Sequence, residues 1–412
     1  RIRSWSAPTR SLPPGAGPVA MIELPALREV DFGAWDGRTF AEISASAPEA
    51  VAQWRASAHH DAGVDCADCH GDEHTRAEDA HEALLPEPTT CGACHGEDLE
   101  EYRAGKHGAA WIAMRTFDVG HGSPTAEPGD PDACVTCHQI GTKPSTDIEA
   151  IDRARVVFGR ASCDECHRSH EFSVVEARRP EACARCHQGP GHPQAEIFET
   201  SVHGRAWRTR AADADPPAPS CQQCHGANGD HEVRAAWGFY GVRWPLDGVA
   251  AVDPQWADDQ RTILHAMGIL DADGTPTWRD TAASVLDMFR RSEEDFARDR
   301  ERMVDACAAC HPRDEVVAEL EAADLFLRDA DRLMALAIEV VAALHDDGIL
   351  VHEARDGTWR PDLFADATTS PPIEAALSRM FFDRRANAFM GRFHGSEESA
   401  VRQVAPELDR VW

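Results

Sequence analysis

Every cysteine of this chain stands in one repeated pattern, Cys-x-x-Cys followed directly by histidine, and the pattern occurs seven times. The copies are Cys66, Cys69 and His70; Cys91, Cys94 and His95; Cys134, Cys137 and His138; Cys163, Cys166 and His167; Cys183, Cys186 and His187; Cys221, Cys224 and His225; and Cys307, Cys310 and His311. An even cysteine count in a secreted chain can mean disulfides, and zinc sites or thioredoxin-like redox pairs also use Cys-x-x-Cys. None of these needs histidine beside the second cysteine in every copy. Haem attachment does: two thiols at this spacing meet the two vinyl groups of one porphyrin, and the adjacent imidazole falls under the iron. The chain is therefore expected to carry seven covalently bound haem c groups, with the seven motif histidines as proximal iron ligands.

The chain has 412 residues, enough for one large or two ordinary domains, yet only 42% are hydrophobic and 7% aromatic. That is thin for a core of this size. Seven large apolar plates would replace part of the missing interior. Haem attachment of this kind takes place outside the cytoplasm, so a periplasmic or otherwise extracytoplasmic location is expected. The opening Arg1-Ile2-Arg3 reads as a mature or incomplete start. No apolar run approaches the roughly 20 residues that span a bilayer, so no transmembrane segment is expected. A net charge of −30 disfavours nucleic acid and anionic membranes as partners. An anionic substrate would need a local cationic entrance, for which Arg205, Arg208, Arg210, Arg234 and Arg243 are the candidates.

Three zones follow along the chain. Residues 1–51 hold no motif and begin with a Pro/Gly/Ser-rich stretch; residues 52–311 hold all seven motifs, joined by loops rich in Pro, Gly and Asp; residues 312–412 form a helical C-terminal region. Thr281 to Ala309 reads as an amphipathic helix. Glu315 to His345 reads as a long one, with Val316, Leu320, Leu325, Leu333, Leu336, Ile338 and Val341 at near-helical spacing, and Ile373 to Phe393 as another. Strand signals are sparse. The expected fold is mainly α, a multihaem body with a loop-rich, haem-packed core and long C-terminal helices.

Of 21 histidines, fourteen lie outside the motifs. A haem that only carries electrons takes a second axial ligand, whereas an open position implies chemistry. Spacing does not say which histidines serve.

The run Cys163-Asp164-Glu165-Cys166-His167-Arg168-Ser169-His170-Glu171-Phe172-Ser173, continued by Arg179 to His187, strongly resembles the hydroxylamine oxidoreductase family of octahaem cytochromes. So do Gly189-Pro190-Gly191-His192-Pro193, Val202-His203-Gly204 and Trp237-Gly238-Phe239-Tyr240. The resemblance covers roughly residues 52–345 and implies that the haem of Cys134, Cys137 and His138 is the reactive one, with His192 and Tyr240 as catalytic residues in its pocket. It implies further that His59, His81, His107, His170, His203 and His231 are distal ligands of the other six haems; His60 could exchange with His59, and His74 with His81. A homotrimer, a redox partner cytochrome or quinol-linked donor, and a small nitrogen-compound substrate are also implied.

Three departures from the family pattern matter. The family's first haem motif would lie upstream of Trp54, where Phe40 to Pro48 has no cysteine. Gly191 stands where an aspartate usually precedes the pocket histidine. The region His394 to Ser399 lacks the tyrosine that hydroxylamine oxidisers crosslink to the reactive haem; the only tyrosines are Tyr102 and Tyr240. The missing tyrosine favours reduction of nitrite or hydroxylamine over oxidation; Gly191 hints at the alternative of a non-catalytic electron-transfer cytochrome, and a hydroxylamine oxidase is the third reading. Separately, Leu27 to Phe40 looks like a segment of histidine phosphatases, but the Arg-His-Gly nucleophile motif is absent and no histidine precedes His59. Phosphoryl transfer through this segment is not expected.

Overall fold

The structure, a computed structural model, describes residues 48–70, 86–110, 137, 140–142, 163–168, 170–189, 193–209, 219–235, 237–280, 291–350, 361–364 and 372–396. These residues form helices and connecting turns. Strand-like structure among them is limited to isolated bridge residues, such as the antiparallel bridge between Leu270 and Pro276. The fold is mainly α, as the sequence implies.

Up to about residue 235 the helices are short: Pro48–Ala56, Gly96–Ala104, Gln194–Thr200, Val202–Thr209 and single turns at the motifs. The C-terminal part is built from longer elements. Helix α1 (Pro254–Ala266) starts where the Asp253 side chain accepts from the Trp256 amide at 3.0 Å, with Pro254 in the first turn. Helix α2 (Glu293–Ala308) starts at a capping box, Ser292 and Asp295 each closing the other's backbone amide. This cap corrects the expected Thr281 to Ala309 helix: Ser292 is extended, at φ −68° and ψ 159°, and residues 281–290 lie outside the described part.

Helix α3 (Arg313–Asp346) is 34 residues long, with Asp314 and Glu315 at its positive end and His345 near its negative end. Its buried stripe is Val316, Leu320, Ala323, Leu327, Met334, Ile338 and Val341. Leu325 and Leu336, expected on that face, are exposed, because the partner helices set the stripe through Leu327 and Met334 instead. The last helical segment runs from α4 (Pro372–Arg379) through a π-helical turn, Met380–Arg385, into α5 (Ala386–Phe393).

Two apolar clusters hold these helices together. One joins Val242, Ile263, Leu264, Met267, Met334, Ile338, Leu363 and Phe381; the other joins Ile197, Trp237, Val304, Leu320, Leu327, Phe389 and Met390. Between them lies a buried polar knot. Arg385 Nε donates to Asp331 Oδ1 at 2.6 Å, and Asp331 Oδ2 accepts from Trp256 Nε1 at 2.8 Å and Gln260 Nε2 at 2.6 Å. Burial raises the Asp331 carboxyl, and Arg385 and the two donors oppose that rise. No helix among the described residues is long and apolar enough to cross a membrane.

Candidate functional site

Each of the six motifs described in full closes as one helical turn. His95, His167, His187 and His311 donate their backbone amides to the carbonyl of the first motif cysteine at 2.9, 2.8, 3.0 and 3.0 Å. Cys66–His70 and Cys221–His225 are short helices, the second opened by a capping box between Ser220 and Gln223. A helical turn puts residues i, i+3 and i+4 on one side. Both thiols and the imidazole therefore face one plate, the arrangement that covalent haem attachment needs. No disulfide joins the described cysteines. Burial pushes the Cys166 thiol up to about 11 and the Cys224 thiol to about 12.

Thiols of different motifs also meet: Cys91 with Cys163, Cys137 with Cys186, and Cys183 with Cys221. Neighbouring motifs thus share walls.

The histidines carry the plainest geometry. Every motif histidine among the described residues faces a histidine from outside the motifs. Ring centroids lie 6.3 Å apart for His70 and His170, 6.1 Å for His95 and His59, and 6.2 Å for His167 and His231. They lie 5.9 Å apart for His187 and His107, 6.1 Å for His225 and His394, and 6.1 Å for His311 and His203. Two imidazoles bonded through nitrogen to opposite faces of one iron, at about 2 Å each, put their centroids about 6 Å apart. The spacing is too wide for stacked or hydrogen-bonded rings and fits an intervening metal. Burial lowers His59, His107, His167, His170, His203 and His394, and takes His225 down to about 4. These rings are neutral at pH 7, the form that binds iron.

Five of the six expected distal histidines, His59, His107, His170, His203 and His231, stand in such pairs. His81 lies outside the described residues, as do its alternative His74 and the pocket residues His138 and His192. His60 packs edge-on against Trp54 instead, which leaves the place opposite His95 to His59. The histidine that sequence reasoning missed is His394. It caps the C-terminus of α5, where Trp237 packs on Phe393 with centroids 3.7 Å apart, and its Nδ1 meets the Met390 carbonyl at 2.7 Å. That bond turns Nε2 toward His225, whose own Nδ1 lies 3.4 Å from the Arg234 carbonyl. The only signal in the sequence is a histidine ending an apolar helix, which any helix C-terminus could show.

Tyr240 sits in the left-handed region at φ 50°, and Arg385 Nη1 donates to its carbonyl at 2.6 Å. Its ring packs on Phe382 and Phe381 at 5.5 and 6.0 Å. Burial, with Asp383 adding to it, raises the phenol, so the hydroxyl keeps its proton at neutral pH. Two of the arginines proposed for an anion entrance are engaged elsewhere: Arg234 pairs with Glu232 at 2.9 Å, and Arg243 with Glu293 at 3.0 Å. Arg205 donates to the Thr200 carbonyl, and Arg210 lies outside the described residues.

Comparison with known proteins agrees with this geometry. Residues 62–262 match a family model described as "Seven times multi-haem cytochrome CxxCH". Residues 11–104 also match the histidine phosphatase superfamily (branch 1), which overlaps the first two cytochrome motifs. A probable nitrite reductase-hydroxylamine oxidoreductase fusion protein of Kuenenia stuttgartiensis is 24% identical over 366 residues, covering 82% of this chain. The chain spans 38% of that relative's length. Among solved structures, a hypothetical multiheme protein matches 90% of this chain and 93% of its own, with a TM-score of 0.59 and 16% identity. A chain of the reducing HAO-like protein complex of Kuenenia stuttgartiensis matches 90% of this chain and 82% of its own, with a TM-score of 0.50 and 19% identity. With its motifs, facing histidines and helical body, the chain is similar to hydroxylamine-oxidoreductase-like multihaem c-type cytochromes.

Proposed function

We propose that this cytochrome carries seven haems and reduces nitrite or hydroxylamine at the haem of Cys134, Cys137 and His138, supplied with electrons by six bis-histidine haems. The observation that carries this reading is the facing of a second histidine by every described motif histidine. In this reading His59, His107, His170, His203, His231 and His394 are the distal ligands, with His394 in place of His81. Six sites with both axial positions filled by protein suit electron carriage and leave substrate binding to the seventh. When bound, that seventh haem supplies an iron able to take a nitrogen ligand and pass it electrons.

The chain's own residues handle the protons. The Tyr240 hydroxyl, held protonated by burial, donates a hydrogen bond to the substrate oxygen, and His192 delivers protons as it loses them. Arg385 fixes the Tyr240 backbone and so the direction of the phenol. The nitrite reductase-hydroxylamine oxidoreductase name of the Kuenenia relative supports nitrogen chemistry, and the absence of a tyrosine near His394 supports the reductive direction. Covalent haem attachment supports a periplasmic or equivalent compartment for the working protein, and the family resemblance supports a cytochrome or quinol-linked donor as partner and a homotrimer as the assembly.

The test combines electron paramagnetic resonance with turnover. One high-spin ferric centre that binds cyanide should appear among six low-spin ones, and a low-potential artificial donor should drive nitrite or hydroxylamine reduction. Tyr240→Phe and His192→Ala should each slow that reduction by roughly tenfold or more. Seven low-spin centres and no cyanide binding would leave an electron-transfer cytochrome; hydroxylamine oxidation faster than reduction would reverse the direction.

A further inference from the structure

One carboxylate touches imidazoles of two different pairs. Asp98 lies in the first turn of the helix Gly96–Ala104, whose N-cap is His95. Its Oδ2 is 3.3 Å from Nδ1 of His95, and its Oδ1 is 3.3 Å from Nδ1 of His231. His95 faces His59, whereas His231 faces His167, so the two rings belong to separate sites. Glu101, one turn further along the same helix, sits 3.6 Å from Nδ1 of His231 and accepts the His231 backbone amide at 2.9 Å. Arg234 donates to the Ala104 carbonyl and fixes the same loop on the end of that helix.

A histidine bound to iron through one nitrogen offers the other to an outer partner, and a carboxylate there strengthens the imidazole as a donor. Its negative charge also favours the more positive, oxidised iron. We infer that Asp98 is a shared positioning residue that lowers the reduction potentials of two neighbouring haems together, those of the His59–His95 and His167–His231 pairs. Glu101 acts on the second of these alone. The two haems thus shift in potential together through Asp98, and Glu101 sets the offset between them. This inference rests on reading the four histidines as axial ligands. A purely structural role for Asp98, as an acidic residue favourably placed at a helix N-terminus, predicts no effect on potential.

The test is a spectroelectrochemical titration of the holoprotein, with paramagnetic resonance of the same samples and an intact-mass count of haems. The wild-type protein should show the bis-histidine low-spin centres; their absence would sink the ligand reading itself and this inference with it. Asp98→Asn should retain every haem and raise two midpoint potentials together. Each should shift by about tenfold in the one-electron equilibrium, about 59 mV. The g-values of those same two centres should change. Glu101→Gln should move one of the two and leave the other. Asp98→Glu, which keeps the charge but displaces it from both rings, should move both by a smaller step, and decides the matter if Asp98→Asn does not assemble. Unchanged potentials, or a single centre responding to Asp98, would overturn the inference while leaving the ligand assignments intact.

Discussion

The two ends of the described chain are held together by different means. From Trp237 onward, long helices bury Ile263, Leu264, Met334, Phe381 and their neighbours against one another. Before it, the buried apolar residues among those described are few and scattered: Val51, Leu99, Tyr102, Ala177 and Ile197. What recurs there is histidine facing histidine at about 6 Å, across a space sized for an iron and its porphyrin. The C-terminal helices can therefore be stable through their own packing, whereas the motif-rich part depends on its cofactors, whose binding is part of the folding free energy.

The largest effect should come from withholding haem. In chain produced without haem attachment, amides of Pro48–Thr209 should lose hydrogen-exchange protection while those of α1, α3 and α5 keep it. The difference in opening free energy should be roughly 3 kcal/mol or more. Equal protection in both regions would break the comparison.

Next in size is the buried knot of the bundle. Asp331→Ala leaves Arg385 buried without its partner and should cost about 3–5 kcal/mol in urea unfolding, with the haem count unchanged. A cost near zero would mean that the ion pair is dispensable to the packing around it.

A smaller effect, confined to one centre, should follow His394→Ala. One low-spin ferric signal should convert to high-spin and gain cyanide binding. His81→Ala should leave the low-spin count as it is. The reverse result would return the sixth distal position to His81.

The smallest change should be at the start of α2. Ser292→Ala removes a capping box and should cost about 1 kcal/mol. Hydrogen bonds from Ser292 lead the groups that hold the Asp295 carboxyl below its ordinary value of 3.8, with Arg298 assisting. A depressed carboxyl stabilises the fold above its unfolded value and loses that contribution as pH falls through the folded one. The deficit of Ser292→Ala should therefore shrink below pH 3.8, as thermal melts at graded pH would report.

The sequence by itself determined the chemistry. Two cysteines and a histidine within five residues form a complete local unit, and a single helical turn presents all three whatever the rest of the chain does. The long C-terminal helices were equally legible, because an apolar stripe repeats at helical spacing over many turns. The phase of that stripe was less so: Leu325 and Leu336 share the period but not the burial, since the neighbouring helices choose which edge to cover.

Only the tertiary structure decided which distant histidine meets which motif. His394 reaches His225 because Trp237, Phe389 and Phe393 seat the end of α5 beside that motif and the Met390 carbonyl orients the ring. Asp98 meets His231 because Glu101 and the Ala104 carbonyl hold the His231–Arg234 loop against the Gly96–Ala104 helix. Local spacing records neither event, because axial pairing depends on side chains brought together by the packing of elements far apart in the chain.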